Sequence, residues 1–95
     1  MFILSGRHSH EESRPIIDEA LEKQTSFAYT MFMKFEKECR SFEATYLMNS
    51  EEFSDRFESG GLGDELQWFD WYAALRGKIF WEKKYKILKD IMWKA

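Results

Sequence analysis

Few residues in this 95-residue chain combine the type and the spacing that chemistry requires. His8 and His10 form an H-x-H pair followed by Glu11 and Glu12, a mix of imidazole and carboxylate that zinc accepts. A metal site also needs further ligands held in place, and the chain has no third histidine and one cysteine, Cys39. The pair is therefore assigned to a flexible N-terminal segment, residues 1–12. Glu51, Glu52, Asp55, Glu58, Asp64, Glu65 and Asp70 crowd the middle of the chain, and paired carboxylates can do acid–base work. Several of them fall in or near the first turn of an expected helix, where negative charge is favoured anyway. A solvated acidic face is the expectation. Gly60, Gly61 and Gly63 invite comparison with a phosphate loop, but such a loop needs a preceding strand and backbone N–H groups free to face an anion. No strand signal precedes these glycines, and Asp64 would set a carboxylate where the phosphate would sit. No nucleophile–base pair can be assembled either. The expectation is no catalytic residue, no metal, no cofactor and no enzyme.

Charge is unevenly distributed. Residues 1–75 carry seven Lys/Arg against fifteen Asp/Glu, whereas residues 76–95 carry seven against two. The basic end interleaves aromatics, so Lys83, Lys84, Lys86 and Lys89 with Trp81 and Trp93 could grip nucleic acid. It could also lie on an anionic membrane surface. In an antiparallel helical fold it would instead meet Glu11, Glu12, Asp18, Glu19 and Glu22 of the first helix, and this pairing is the expected use. Lysines late in a helix also complement its dipole.

The elements that must position these residues read as helices. One proline and five glycines, three of them clustered, leave long stretches uninterrupted. Ser13 is a candidate N-cap with Pro15 in the first turn, opening a helix over about 13–47. Ile17, Leu21, Gln24, Ala28, Met31, Phe35, Cys39, Phe42 and Tyr46 recur at spacings of three and four, which predicts a coiled-coil-like seam. Asn49 with Glu52 predicts a capping box, Met48 with Phe53 a hydrophobic staple, and a short helix follows. Gly60 or Gly61 suits the left-handed residue that ends that helix, Leu62 can tuck into the core, and Gly63 precedes Asp64 as the next N-cap. A third helix runs over about 65–93. It has two apolar faces: Leu66, Phe69, Ala73, Phe80, Ile87 and Ile91 on one, and Trp68, Tyr72, Leu75 and Ile79 on the other. Gly77, in mid-helix, points to a close helix approach or a bend.

An all-α hairpin follows: two long helices joined by a short helix and a glycine corner, residues 13–95 forming one domain. A chain this small has a thin stability margin, yet 18% of it is aromatic, more bulk than a lone hairpin hides. A homodimeric four-helix bundle is expected, with Phe27, Met31, Phe32, Phe35, Trp68, Tyr72 and Trp81 forming the dimer or partner interface. The lone cysteine points to a reducing, cytoplasmic setting, and no run of about 18 apolar residues offers a membrane span. The N-terminus lacks the basic-then-apolar order of a signal peptide.

Residues 42–75 carry Tyr46, Met48, Ser50, Glu51, Glu52, Phe53, Phe57, Gly60, Leu62, Gly63, Asp64, Phe69, Asp70 and Trp71. In this pattern the chain resembles small uncharacterised prokaryotic helical proteins that look like antitoxin-type or accessory partners of a second small protein. The resemblance covers about a third of the chain and implies a protein–protein interaction module, with a toxin-like protein as its partner. It brings no catalytic residues. Leu47 stands where the pattern has glycine, Gly61 where an acidic residue is common, and residues 1–12 have no counterpart.

Overall fold

A computed structural model describes residues 9–94, and three helices account for almost all of them: α1 His10–Tyr46, α2 Ser50–Glu58 and α3 Leu66–Lys94. The first helix starts ahead of the expected Ser13. Ser9 is the N-cap, its hydroxyl accepting from the Glu12 backbone N–H at 3.0 Å, and Glu11 and Glu12 fill the first turn. Ser-x-x-Glu at 9–12 satisfies the same capping logic four residues earlier. Pro15 thus lies inside the helix rather than at its start. It is exposed there, so water can reach the carbonyl that its missing N–H leaves unpaired. His10 is the first residue of α1. His8 and the rest of residues 1–8 lie outside the described residues.

α1 ends on Leu47, a non-glycine residue in the left-handed region at φ 53°. The backbone N–H groups of Leu47 and Met48 both turn back to the Glu43 carbonyl. Glu43 then contributes its carboxylate as well, accepting from the Ser50 N–H at 2.8 Å where α2 begins. Asn49 caps α2 as expected, its side-chain oxygen accepting from the Glu52 N–H at 2.8 Å. Glu52 pairs its own carboxylate with Arg56 at 3.2 Å, one turn along. α2 closes in a Schellman motif: Gly60 has φ 79°, its N–H donates to Phe57 O, and the Gly61 N–H donates to Arg56 O at 2.9 Å. Gly63 takes a second left-handed step at φ 85°, and Leu62 between them is half-buried. The corner is therefore built from backbone geometry. α3 begins at Leu66, which makes Glu65 the flanking residue and leaves the expected cap, Asp64, one position outside.

α1 and α3 pack along their length as an antiparallel hairpin, and α2 folds against α3. At 1.5 Å per residue α1 alone is roughly 55 Å long, and the molecule measures 59 × 22 × 20 Å. The expected seam of α1 lies against α3, with one exchange: Gln24 is exposed and Thr25 is buried in its place. The Thr25 hydroxyl donates to the Leu21 carbonyl at 2.6 Å and touches Met92 Sδ at 3.0 Å. A threonine next to the seam can satisfy its hydroxyl on its own helix, which the longer glutamine amide cannot do as compactly.

The core is small and centred where all three helices meet. Trp71 is fully buried, stacked on Phe53 of α2 (centroids 4.0 Å, planes 4° apart) and on Phe42 of α1 (5.6 Å, 9°). Its indole N–H donates to the Ser50 hydroxyl at 3.1 Å. Cys39, Ala74 and Leu75 continue the core, flanked by Phe35 and Phe42. Gly77 permits a close approach: a Cβ there would lie 2.9 Å from two ring carbons of Phe35.

Candidate functional site

The third helix is apolar on two sides, and the inward one is not the expected Trp68, Tyr72, Leu75 and Ile79 face: of these Leu75 is buried, Trp68 and Tyr72 are half-buried and Ile79 is exposed. Trp71, Ala74 and Leu75 face α1 and are buried, and Lys78, Tyr85, Leu88 and Met92 continue that side half-buried. Leu66, Phe69, Ala73, Phe80, Ile87 and Ile91 lie on the other side, exposed. Their large members range from 44% (Ile91) to 74% (Leu66) accessible. Ile79, Ile87 and Ile91 line a shallow groove there with Lys83. A helix that is apolar on both sides ordinarily has something packed on both. Among the described residues, Phe57 of α2 meets Phe69 edge-on at 5.1 Å, and the rest of the outer side stands open.

The aromatics expected at a partner interface have mixed fates. Phe35 lies on the Gly77 backbone between the helices. Trp68 packs on Tyr46 (4.8 Å) and Phe53 (6.2 Å), and its indole N–H is buried with no acceptor, which nothing in the structure explains. Tyr72 stacks on Phe57 at 4.7 Å and donates its hydroxyl to Glu58 at 3.0 Å, a bond that raises the phenol above its usual range. Met31 and Phe32 are half-buried. Phe27 keeps half its surface exposed and meets Trp81 edge-on at 5.4 Å, and Trp81 in turn meets Phe80 at 5.1 Å. This ring chain joins the outer face of α3 to the flank of α1.

Where the basic end was expected to pair with acidic residues of α1, several of these charges, among the described residues, pair within their own helix instead. Lys86 pairs with Glu82 and Lys94 with Asp90, while Asp18 pairs with Arg14 and Glu19 with Lys23. Side chains four apart on one helix meet without help from the fold. Lys84 and Lys89 instead lie over the rings of Trp81 and Tyr85. Lys83 is exposed, as is Trp93, 89% accessible near the helix end.

Among the described residues an ion pair crosses between the helices at Glu36–Lys78, 3.0 Å, with Arg40 also on Glu36 at 2.8 Å. The hydrogen bond from Lys78 holds the Glu36 carboxyl below its usual range, against burial and with help from Arg40. Burial pulls Lys78 down, but the bond to Glu36 outweighs it and the ammonium ends above its usual value. Nearby Cys39 is almost fully buried, and burial pushes its thiol up.

Three of the seven carboxylates around the corner have side-chain partners of their own: Glu52 with Arg56, Glu58 with Ser54 and Tyr72, Glu65 with Gln67. Among the described residues no group of three or more His, Cys, Asp or Glu side chains is placed to hold a metal ion. No helix there is long and apolar enough to cross a membrane. Compared with known protein families, with curated proteins and with solved structures, the chain matches none.

Proposed function

We propose that the protein is a non-enzymatic protein–protein interaction module that self-associates and, through a further helical aromatic surface, binds a second small protein in an antitoxin-like or accessory role. The single observation that carries this reading is the uncovered apolar side of α3, a face at helical spacing along most of a 29-residue helix. Surface of that kind costs free energy in water at about 25 cal/mol per Å², which a helical partner recovers. Phe27 and the neighbouring Tyr29 and Met33 on α1, each exposed, are the surface left for a different protein. Light scattering at micromolar concentration tests self-association. A dimer is the expected mass, and a stable, well-folded monomer refutes that part of the proposal.

A second reading rests on the basic end: Lys83, Lys84, Lys86 and Lys89 with the exposed Trp93 are the charges and the stacking ring that single-stranded nucleic acid engages. Binding of this kind must weaken steeply between low and moderate salt. No binding at low salt refutes it.

A further inference from the structure

We infer that the outer side of α3 is an isologous interface that takes a second copy of this chain antiparallel to itself, with Phe80 at the two-fold axis. The inference rests on the self-association proposed above and specifies its face and geometry. Three observations carry it.

The first is symmetry in the residue spacing. Ala73 and Ile87 stand seven residues to either side of Phe80, and Phe69 and Ile91 stand eleven to either side. At 3.6 residues per turn, steps of seven and eleven both return to within about 20° of the starting direction. The five side chains therefore form one stripe whose spacing is the same from either end, with Arg76 and Lys84 four residues to either side of Phe80 along its flanks. A two-fold axis through Phe80 brings Phe69 onto the partner copy's Ile91 and the small Ala73 onto its larger Ile87. Such self-complementarity is the condition an isologous contact must meet.

The second is area. Phe69, Phe80, Ile87 and Ile91 with Leu66 are each roughly half or more exposed. Five such side chains, at on the order of 200 Å² apiece, offer roughly 500 Å² of apolar surface. With a polar rim this approaches the roughly 800 Å² per partner of a standard specific interface.

The third is charge. Asp64 and Glu65 just before α3 and Asp70 within it stand with no Lys or Arg among residues 64–70, whereas residues 83–94 carry Lys83, Lys84, Lys86, Lys89 and Lys94 against Asp90. Antiparallel packing lays each acidic end towards the partner's basic end. Parallel packing would set like on like, which opposes association. The result is a four-helix assembly with the two copies of α3 at its centre, and the Phe80–Trp81–Phe27 ring chain linking that centre to α1.

Cross-linking the full chain with a short bifunctional maleimide tests the geometry, with the buried native Cys39 as background control. Phe80→Cys alone is expected to yield cross-linked dimer as the major product. Phe69→Cys and Ile91→Cys are each expected to stay uncross-linked alone and to cross-link when mixed. In the antiparallel pair, two copies of position 69 are roughly 33 Å apart along the helix. A cross-link formed by Phe69→Cys alone overturns the antiparallel geometry. Dimer mass by light scattering without a Phe80→Cys cross-link overturns the choice of face and leaves self-association standing. Monomer mass for the unaltered chain overturns both. As a second arm, Phe80→Glu places two carboxylates at the axis. It is expected to keep its helical circular dichroism while the dimer dissociation constant rises at least a hundredfold. A Phe80→Glu protein that remains dimeric at unchanged affinity overturns the inference.

Discussion

Gly77 is the position where a simple rule and the tertiary structure disagree about sign. Replacing a mid-helix glycine with alanine ordinarily stabilises a helix by about 1 kcal/mol. Here the new methyl carbon would lie 2.9 Å from Cδ2 and Cε2 of Phe35 and 3.0 Å from Cδ1. Carbon atoms in good contact are about 3.5–4.0 Å apart, so the ring or the helix must retreat by more than half an ångström. Phe35 has little freedom to do so, since it packs against the Cys39–Ala74–Leu75 core. Overpacking of this kind costs roughly 1–3 kcal/mol. Gly77→Ala is therefore expected to destabilise by about 1 kcal/mol net, a fall of about 4–8 °C in Tm for a domain of this size. Urea unfolding followed by circular dichroism at one fixed protein concentration measures it, because self-association makes apparent stability depend on concentration. In a Phe35→Leu background, where the ring is gone, the same substitution is expected to stabilise by about 1 kcal/mol. Should Gly77→Ala raise Tm in the unaltered chain, the close approach of α1 and α3 at this point does not exist as described.

Three further outcomes are expected. Leu47 holds a left-handed conformation that costs an L-residue about 1–2 kcal/mol while its side chain is 90% exposed, so Leu47→Gly is expected to raise stability by about 0.5–1 kcal/mol; an unchanged urea midpoint would show that the strain is absent. Ser50→Ala removes the acceptor of the buried Trp71 indole N–H and is expected to cost about 1–3 kcal/mol, again by urea midpoint, and a loss below about 0.5 kcal/mol refutes the bond's role. Glu36 is held below the usual carboxylate range in the folded chain, chiefly by the hydrogen bond from Lys78. The unfolded chain binds a proton there first, so the stabilisation is present above the ordinary carboxylate range and is lost as pH falls through the lowered folded value. Glu36→Gln should lower stability at pH 7 and shrink the loss between pH 7 and acid; an unaltered pH dependence would remove Glu36 from the account.

The hairpin itself was legible in the residues. Spacings of three and four from Ile17 to Tyr46, Asn49 with Glu52 at a helix start, and glycines at 60 and 63 are local signals, and each acts within a turn or two of its own position. The two left-handed glycines and the Asn49 cap stand where those signals place them. Competing local signals account for the shifted start of α1 and the shifted seam position: Ser9 displaces Ser13 because Glu12 stands three residues on, and Thr25 displaces Gln24 because its hydroxyl is satisfied on its own helix. The resemblance in residues 42–75 marks Leu47 as a departure from glycine, and the structure attaches a physical cost to it.

The sequence by itself determined three helices, their order and the corner that turns the chain, because caps, glycine conformations and apolar periodicity are properties of short segments. Only the tertiary structure decided which side of α3 faces inward. Both sides carry apolar residues at helical spacing, so periodicity cannot choose between them. The choice falls to shape. Small Cys39, Ala74 and Gly77 let the helices close, Trp71 fills the junction with Phe42 and Phe53, and the Ser50 hydroxyl receives its indole N–H. With that side spent, the stripe through Phe69, Phe80 and Ile91 is left facing outward, since a two-helix layer can bury only one side of each helix.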